Sequence, residues 1–585
     1  MRRSLFAAAS IAIVLTAAAG PGAQAQRAPA PTKLPATIAS ATFELKSGTA
    51  AHAMVSAANP LAVQTGVKVL KAGGTALDAA VAIQMVLGLV EPQSSGVGGG
   101  AFLTYYDAKT RKVTAYDGRE IAPAGASPDM FLGDDGKPMP FVRALVSGRA
   151  TGVPGAIAML YMAHKDHGKL PWASLFTDAE KLASDGFVVS PRLAADINSK
   201  SVPQASQPDA VAYFTKPDGQ KYQIGDVLKN QAYADTLARI AKEGPDAILK
   251  GKIAADIVAR TTVAPLAGTM TVADLAAYKP MKSEALCIPY RAYTLCTPQA
   301  PSGGPAVLEV MGILANTDLP AHGVEDPQGW YLFAEASRLG YADRDLYEGD
   351  PAFVPTLHGL LSPSYLKARA AEIGPTAVKM VQAGKPPGAV AMAADQTVEP
   401  GGTSSYVVVD QWGDVMAITT TVESIFGTGR MVDGFFVNNQ LTDFSFAPKN
   451  PDGSMAANAV GGRKRPRSSM SPTIVLDKDG KFVAAVGSPG GGNIVGFVSK
   501  ALVALLDWKL PMPVALAIPN LIGHGDIVTP ETELDPAIMA GLTAKGLNLA
   551  KPRGEESGLH GIQRVADGTL LGGADPRREG IAEGF

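Results

Sequence analysis

Apolar residues recur along this chain at two spacings, and the change from one to the other divides it. Asn59-Pro60 has the chemistry of a helix start, an Asn able to accept from the first turn followed by a Pro where no N–H is needed. Gly73-Gly74 closes that helix. Residues 76–90 are apolar all round apart from Asp78 and Gln84, which predicts a helix buried on every face. Helical spacing returns over 155–164, 232–243 and 329–342, between short apolar strands and Pro-rich loops. From residue 403 the period falls to two. Strands are predicted over 405–409 and 415–422, flanking Asp410-Gln-Trp-Gly413, and over 473–476 and 481–486, flanking Asp477-Lys-Asp-Gly480, whose Asp-Gly is a hairpin signal. Residues 493–508 then read as a helix. Strands running into helices predict sheets covered by helices, with ordered structure beginning near Met54.

The N-terminus reads differently. Arg2 and Arg3 precede an apolar run over 5–19 and the small-x-small step Ala23-Gln24-Ala25, so residues 1–25 read as a cleaved signal peptide and 26–42 as a flexible lead-in rich in Ala, Pro and Thr. The apolar run is shorter than the ~20 residues a helix needs to cross a bilayer, and no later stretch is long and charge-free enough. An uncleaved anchor is the alternative. The expected location is periplasmic or secreted.

Composition narrows the class. At 585 residues, 46% hydrophobic and 18% charged, the chain can bury a large core in one or two domains. Lys+Arg 52 against Asp+Glu 54 gives a formal charge of -2, which excludes a surface built to hold nucleic acid. The seven histidines show no metal-ligand spacing, so no metal and no cofactor is expected. Cys287 and Cys296 fall opposite each other in a segment that alternates like a hairpin turning near Arg291-Ala292, which fits a disulfide in an oxidising compartment or two buried thiols in paired strands.

Two familiar motifs fail on context. Gly96-Val-Gly-Gly-Gly-Ala101, with Asp117 downstream, matches a dinucleotide fingerprint, but a helix precedes it and a strand follows, the reverse of what that site needs. A tight glycine loop against backbone is the better reading. Ser364-Tyr-Leu-Lys367 lacks the partner motifs of penicillin-binding enzymes and reads as the start of a surface helix. A third stretch, Glu399-Pro-Gly-Gly-Thr403, sets a flexible Gly-Gly before a Thr that opens a strand. If the chain cuts itself between Gly402 and Thr403, Thr403 gains an α-amino group with a pKa near 7.7–8.0, able to take the proton of its own hydroxyl. The alternative is a Gly-Gly loop leading into an ordinary edge strand. Downstream, Gly487-Ser-Pro-Gly490-Gly491 at a strand end offers outward N–H groups suited to an oxyanion.

Taken in order, Ala57-Ala-Asn-Pro-Leu-Ala62, Gly73-Gly-Thr-Ala-Leu-Asp-Ala-Ala80, Gly96-Val-Gly-Gly99, Asp117-Gly-Arg-Glu120, Phe426-Gly-Thr-Gly429, Asn438-Asn-Gln440, Asp443-Phe444, Arg465-Pro466, Ser468-Ser-Met-Ser-Pro472 and Gly487-Ser-Pro-Gly-Gly491 resemble the γ-glutamyltranspeptidase family of N-terminal-nucleophile hydrolases. The resemblance runs from about residue 54 to about 580. It implies an α+β fold, a four-layer αββα sandwich with two antiparallel sheets between helix layers, cut into a large subunit, 43–402, and a small catalytic one, 403–585. It further implies Thr403 as nucleophile, Thr421 as its hydroxyl partner and the Gly490 and Gly491 N–H groups as oxyanion donors. Arg119, Ser468 and Ser469 would take the substrate α-carboxylate, and Asp443, Gln440 and Glu423 its α-ammonium. The implied activity is cleavage of γ-glutamyl compounds such as glutathione, with water or an amino acid or peptide as acceptor. The alternatives are a glutaryl or cephalosporin acylase on the same scaffold and a non-processing γ-glutamyl-binding protein.

The chain departs from the family pattern at four places. Ser404-Ser405 stand where many members have Thr-His, Glu423 where many have Asn, and Arg467 where Leu is usual, adding a cation near the pocket. The segment 446–463 is shorter than a full lid and has no Tyr or Trp, which implies an open pocket.

Overall fold

Alternation along the strand Thr403–Val409 decides which way its side chains point. Val407 and Val409 pack into one core and Tyr406 and Val408 into another. In the computed structural model, which describes residues 44–585 except 265, 356–357, 391, 394, 396, 451–452, 553 and 555–556, this strand is third in an antiparallel sheet of seven. The order is Ile581–Gly584, Met54–Ala57, Thr403–Val409, Val415–Thr421, Gly100–Asp107, Lys112–Asp117, Met281–Glu284. A second antiparallel sheet of seven runs Lys46–Ala50, Leu570–Ala574, His560–Arg564, Phe482–Gly487, Thr473–Asp477, Tyr293–Thr297, Leu286–Tyr290. Met54, Val407, Val409, Ala417, Ile474, Ala485 and Ile562 fill the space between them. On one outer face Val55, Leu103, Val408 and Ile418 pack under the helices Pro60–Lys71, Ala76–Val90 and Ala156–His167. On the other, Leu295, Val475 and Val486 pack under Gly304–Leu314, Pro327–Tyr347 and Ile494–Leu506. The result is the expected four-layer αββα sandwich.

Local signals held where capping chemistry was explicit. Asn59 accepts from Leu61 N–H at 3.0 Å with Pro60 in the first turn, and Thr75 and Asp78 form a capping box at the head of the wholly buried helix Ala76–Val90. The glycine loop after that helix is as tight as its sequence suggested, since a Cβ on Gly99 would lie 1.9 Å from the carbonyl oxygen of Thr421. Ser364 and Lys367 are exposed at the start of the helix Pro363–Ala371. Cys287 and Cys296 face each other across the hairpin and form a disulfide, which resolves the two readings of that pair.

Two boundaries differ from expectation. Strand structure starts at Lys46 rather than near Met54, because Lys46–Ala50 joins its sheet by backbone pairing to Leu570–Ala574 and needs no apolar pattern to do so. The helix Pro327–Tyr347 outruns the predicted 329–342 because its polar residues are buried and paired, Arg338 with Glu335 and Arg344 with Glu399. Thr403–Val409 is a central strand, so the alternative of an ordinary edge strand does not hold. The segments read as signal peptide and lead-in lie outside the described residues. Among the described residues no helix is long and apolar enough to cross a membrane.

Candidate active site

Antiparallel register sets Thr403 directly opposite Thr421, with both side chains on the face between the sheets. Thr403 Oγ1 donates to Thr421 Oγ1 at 3.1 Å. Thr421 Oγ1 also accepts from Glu423 N–H at 2.7 Å and donates to the Gly402 carbonyl oxygen at 3.0 Å. One hydroxyl therefore receives from Thr403 while polarising the carbonyl of the peptide bond that Thr403 would attack. Only glycine fits at 402, where a Cβ would lie 2.5 Å from the backbone of Glu423 and Ser424. The next two residues point into the two different layers. Ser404 Oγ donates to Glu91 at 3.1 Å at the end of a buried helix, and Ser405 Oγ donates to the Ile418 carbonyl at 3.0 Å, packed under Gly487 of the facing sheet.

The glycine turn at the end of Phe482–Gly487 comes against the segment before Thr403. Gly490 and Gly491 take φ of 132° and 55°, and a Cβ on Gly491 would lie 2.3 Å from the Glu399 carbonyl oxygen and 2.5 Å from that of Pro400. Gly492 N–H donates to the Glu399 carbonyl at 3.0 Å. The turn leads into Ile494–Leu506, so the helix dipole adds to the positive character of these N–H groups.

Beside Thr403 lies a pocket lined by Arg119, Glu399, Pro400, Thr421, Glu423, Gln440, Asp443, Ser468, Ser469, Met470, Gly491 and Ile494. All the expected binding residues meet there, although their contacts differ from those expected. Arg119 and Asp443, assigned to opposite ends of a substrate, pair with each other at 2.5 Å, and Arg119 also donates to the Arg467 and Pro466 carbonyls. Gln440 Nε2 donates to Asp443 at 2.6 Å and Asn439 donates to Glu423. Burial pushes the Asp443 carboxyl up to about 6 against the pull of Arg119. Burial and the neighbouring Asp443 push the Glu423 carboxyl far above the ordinary range. Among the described residues, Asp443 Oδ1, Gln440 Oε1 and Glu423 Oε1 are buried with no hydrogen-bond partner.

The serine pair engages the chain itself. Ser468 Oγ accepts from Met470 N–H at 3.1 Å, while Ser469 Oγ donates to Glu399 at 2.5 Å and accepts from Arg344 at 2.7 Å. Glu399 also meets Arg344 at 2.7 Å and Arg467 at 3.4 Å, and these guanidiniums hold its carboxyl below the usual range although burial pushes it up. Arg467, read as an added cation near the pocket, is pinned under it, 1% exposed, against Asp345, Asp395 and Glu399. Arg467→Leu leaves buried carboxylates short of a cation and is expected to destabilise the fold by about 3 kcal/mol, read as a lower urea midpoint. Glu399, Arg344 and the Gly492 N–H were not singled out from the sequence. Glu399 stood in the quoted stretch before Thr403, but nothing in the spacing told which cations would grip it. Among the described residues of 446–463 none lines the pocket, and Phe446 stacks on Phe131 at 4.4 Å between ring centroids.

A four-layer sandwich whose central strand begins with a buried Thr, behind a Gly-Gly and beside a glycine turn, has the architecture of the N-terminal-nucleophile hydrolases. Within that class the chain belongs to the gamma-glutamyltranspeptidase family, whose profile matches residues 62–585. It is 37% identical over 546 residues to the glutathione hydrolase proenzyme of Bacillus subtilis strain 168, covering 91% of each chain. To the glutathione hydrolase proenzyme of Escherichia coli K12 it is 35% identical over 540 residues, 90% of this chain and 91% of that one. Among solved structures, a Helicobacter pylori gamma-glutamyltranspeptidase chain superposes with TM-score 0.52 at 32% identity, covering 54% of this chain and 90% of its own. A cephalosporin acylase from Bacillus halodurans superposes with TM-score 0.81 at 24% identity over 97% of this chain and 99% of its own, a likeness of fold.

Proposed function

We propose that this chain is an exported, self-processing γ-glutamyltransferase and glutathione hydrolase that works without metal or cofactor. The signal peptide 1–25 would direct it to the periplasm or medium, and cleavage before Thr403 would give a heterodimer of 26–402 with 403–585. The chain of contacts from Thr403 through Thr421 to the Gly402 carbonyl carries this reading. Attack of Thr403 Oγ1 on that carbonyl forms an ester as the Gly402–Thr403 C–N bond breaks, and water then releases Gly402 as a carboxylate. The freed α-amino group becomes the base for the hydroxyl on the same residue. Thr403 then attacks the γ-carbonyl of a γ-glutamyl compound, with the Gly490 and Gly491 N–H groups facing the oxyanion. Water or an amine resolves the acyl-enzyme.

Until that cut, Glu399 fills the pocket with a carboxylate of the chain's own, held by Ser469, Arg344 and Arg467. Its departure frees Ser469, which with Ser468 and Arg119 suits a substrate carboxylate. The unpartnered acceptors Asp443 Oδ1 and Gln440 Oε1 suit N–H donors of an ammonium group, with the Asp443 carboxylate as its anion. A glutaryl substrate lacks that ammonium and would leave them unpaired, at a cost of about 1–3 kcal/mol. The enzyme is therefore expected to hydrolyse L-γ-glutamyl-p-nitroanilide at least tenfold better in kcat/KM than the glutaryl anilide, and a preference for glutaryl would overturn the γ-glutamyl reading. Because Asp443 must be ionised to hold the ammonium, kcat/KM for the γ-glutamyl donor should show a further fall as pH drops through about 6, beyond the loss that protonation of the Thr403 α-amino group imposes on every donor. The glutaryl anilide should not show that further fall.

A further inference from the structure

The helix Pro327–Tyr347 ends against a separate cavity of about 90 Å³ that shares no lining residue with the donor pocket. Its walls are mostly apolar. Leu286 comes from the edge strand Leu286–Tyr290, Pro305 from the first turn of Gly304–Leu314, and Val354 and Leu361 from the segment after the long helix. Pro355 and His358 on its rim are exposed, so a small molecule can enter from solvent. The volume holds on the order of six waters, which is room for a short alkyl chain.

One wall group is out of keeping with the rest. Glu348, the residue just past the helix, lines the cavity at 4% exposure, and neither of its carboxyl oxygens has a hydrogen-bond partner among the described residues. Nor does an ion pair reach it there, because Arg344 is taken by Asp345 and Glu399, and Arg467 by Asp345, Asp395 and Glu399. Burial pushes the Glu348 carboxyl up to about 7 even though these two guanidiniums pull it down. Glu309, wholly buried in Gly304–Leu314, is unpartnered as well, whereas Asp343 is answered by Arg369, Tyr365 and the Gly384 N–H. A buried carboxylate with no counter-charge is destabilising, and a cation brought against it relieves that cost. A bare metal ion does not suit the place, since it needs several oxygen ligands and no group of three metal-ligating side chains exists among the described residues. The ligand that answers both the carboxylate and the walls has a cationic head and a short apolar body.

We propose that this cavity binds a short-chain alkylammonium, with its ammonium on Glu348 and its alkyl chain among Leu286, Pro305, Val354 and Leu361. The site depends neither on Thr403 nor on the γ-glutamyl reading. Titration calorimetry at about pH 8, where both Glu348 and a primary ammonium are charged, tests it with n-butylammonium, n-butanol and butyrate as probes. Wild type is expected to bind n-butylammonium about tenfold more tightly than n-butanol, and butyrate more weakly than either. In Glu348→Gln this site's affinity for n-butylammonium should fall about tenfold, to the level of n-butanol. Any ammonium held at Asp443 survives that substitution, so the binding that is lost belongs to this cavity. Val354→Phe, which fills the alkyl end and keeps the carboxylate, should weaken n-butylammonium and n-butanol together. It decides the matter if Glu348→Gln fails to fold. The proposal is overturned if n-butylammonium binds wild type no better than n-butanol, if Glu348→Gln binds it as wild type does, or if Val354→Phe leaves its affinity unchanged.

Discussion

Thr403→Ala is expected to accumulate as a single uncut chain and to hydrolyse γ-glutamyl anilides roughly 10⁴-fold more slowly than the processed wild type. Two losses coincide in one substitution. Without Oγ1 nothing attacks the Gly402 carbonyl, although Thr421 still polarises it at 3.0 Å. Without cleavage, Glu399 stays in the donor pocket on Ser469 and Arg344 and excludes a substrate carboxylate. The fold should be untouched, because residue 403 keeps its backbone place opposite Thr421 and an Ala there removes only a hydroxyl and a methyl at the end of a strand. Thr403→Ser, which restores the hydroxyl, should cut itself and recover activity. A gel time course with parallel anilide assays reads both effects, and an uncut but active Thr403→Ala chain would sink the mechanism.

The second large effect is expected from Asp443→Asn. The substitution keeps shape and removes the Asp443 carboxylate from the ammonium cradle, where burial and Asp443 push the neighbouring Glu423 carboxyl far above the ordinary range. kcat/KM for the γ-glutamyl donor should fall on the order of 100-fold, about 3 kcal/mol for a buried charge-assisted contact. The glutaryl donor should change little, so the selectivity between the two narrows. The further fall in activity as pH drops through about 6 should disappear with the carboxylate. An Asp443→Asn enzyme that keeps both its γ-glutamyl preference and that further fall would show that the ammonium is held elsewhere.

Much of this arrangement is legible in the chain because its physics is local. Asn59-Pro60 and Thr75 cap helices by contacts within three residues, and the alternation after residue 403 sends Val407 and Val409 inward and Tyr406 outward whatever surrounds them. Thr403 and Thr421 meet because a short turn at 410–413 sets their register. What the sequence hides is long-range charge pairing. Glu399 finds Arg344 and Arg467, residues 55 and 68 positions away, and no periodicity announces such a network. The same cause shortened the predicted helix over 329–342, since Arg338 and Arg344 look like surface residues until their buried partners are known. The strand Lys46–Ala50 was missed for the opposite reason, because backbone pairing alone holds it. The Arg119–Asp443 pair shows the limit of assigning roles by type, as two groups suited to opposite ends of a zwitterion satisfy each other when none is bound.

The decisive measurement is intact mass with N-terminal sequencing of the purified protein. Two chains, the smaller beginning Thr403-Ser404-Ser405, are predicted, since every later step needs a free α-amino group on that threonine. A single chain that stays uncut on prolonged incubation would contradict the mechanism and leave a γ-glutamyl-binding protein in its place.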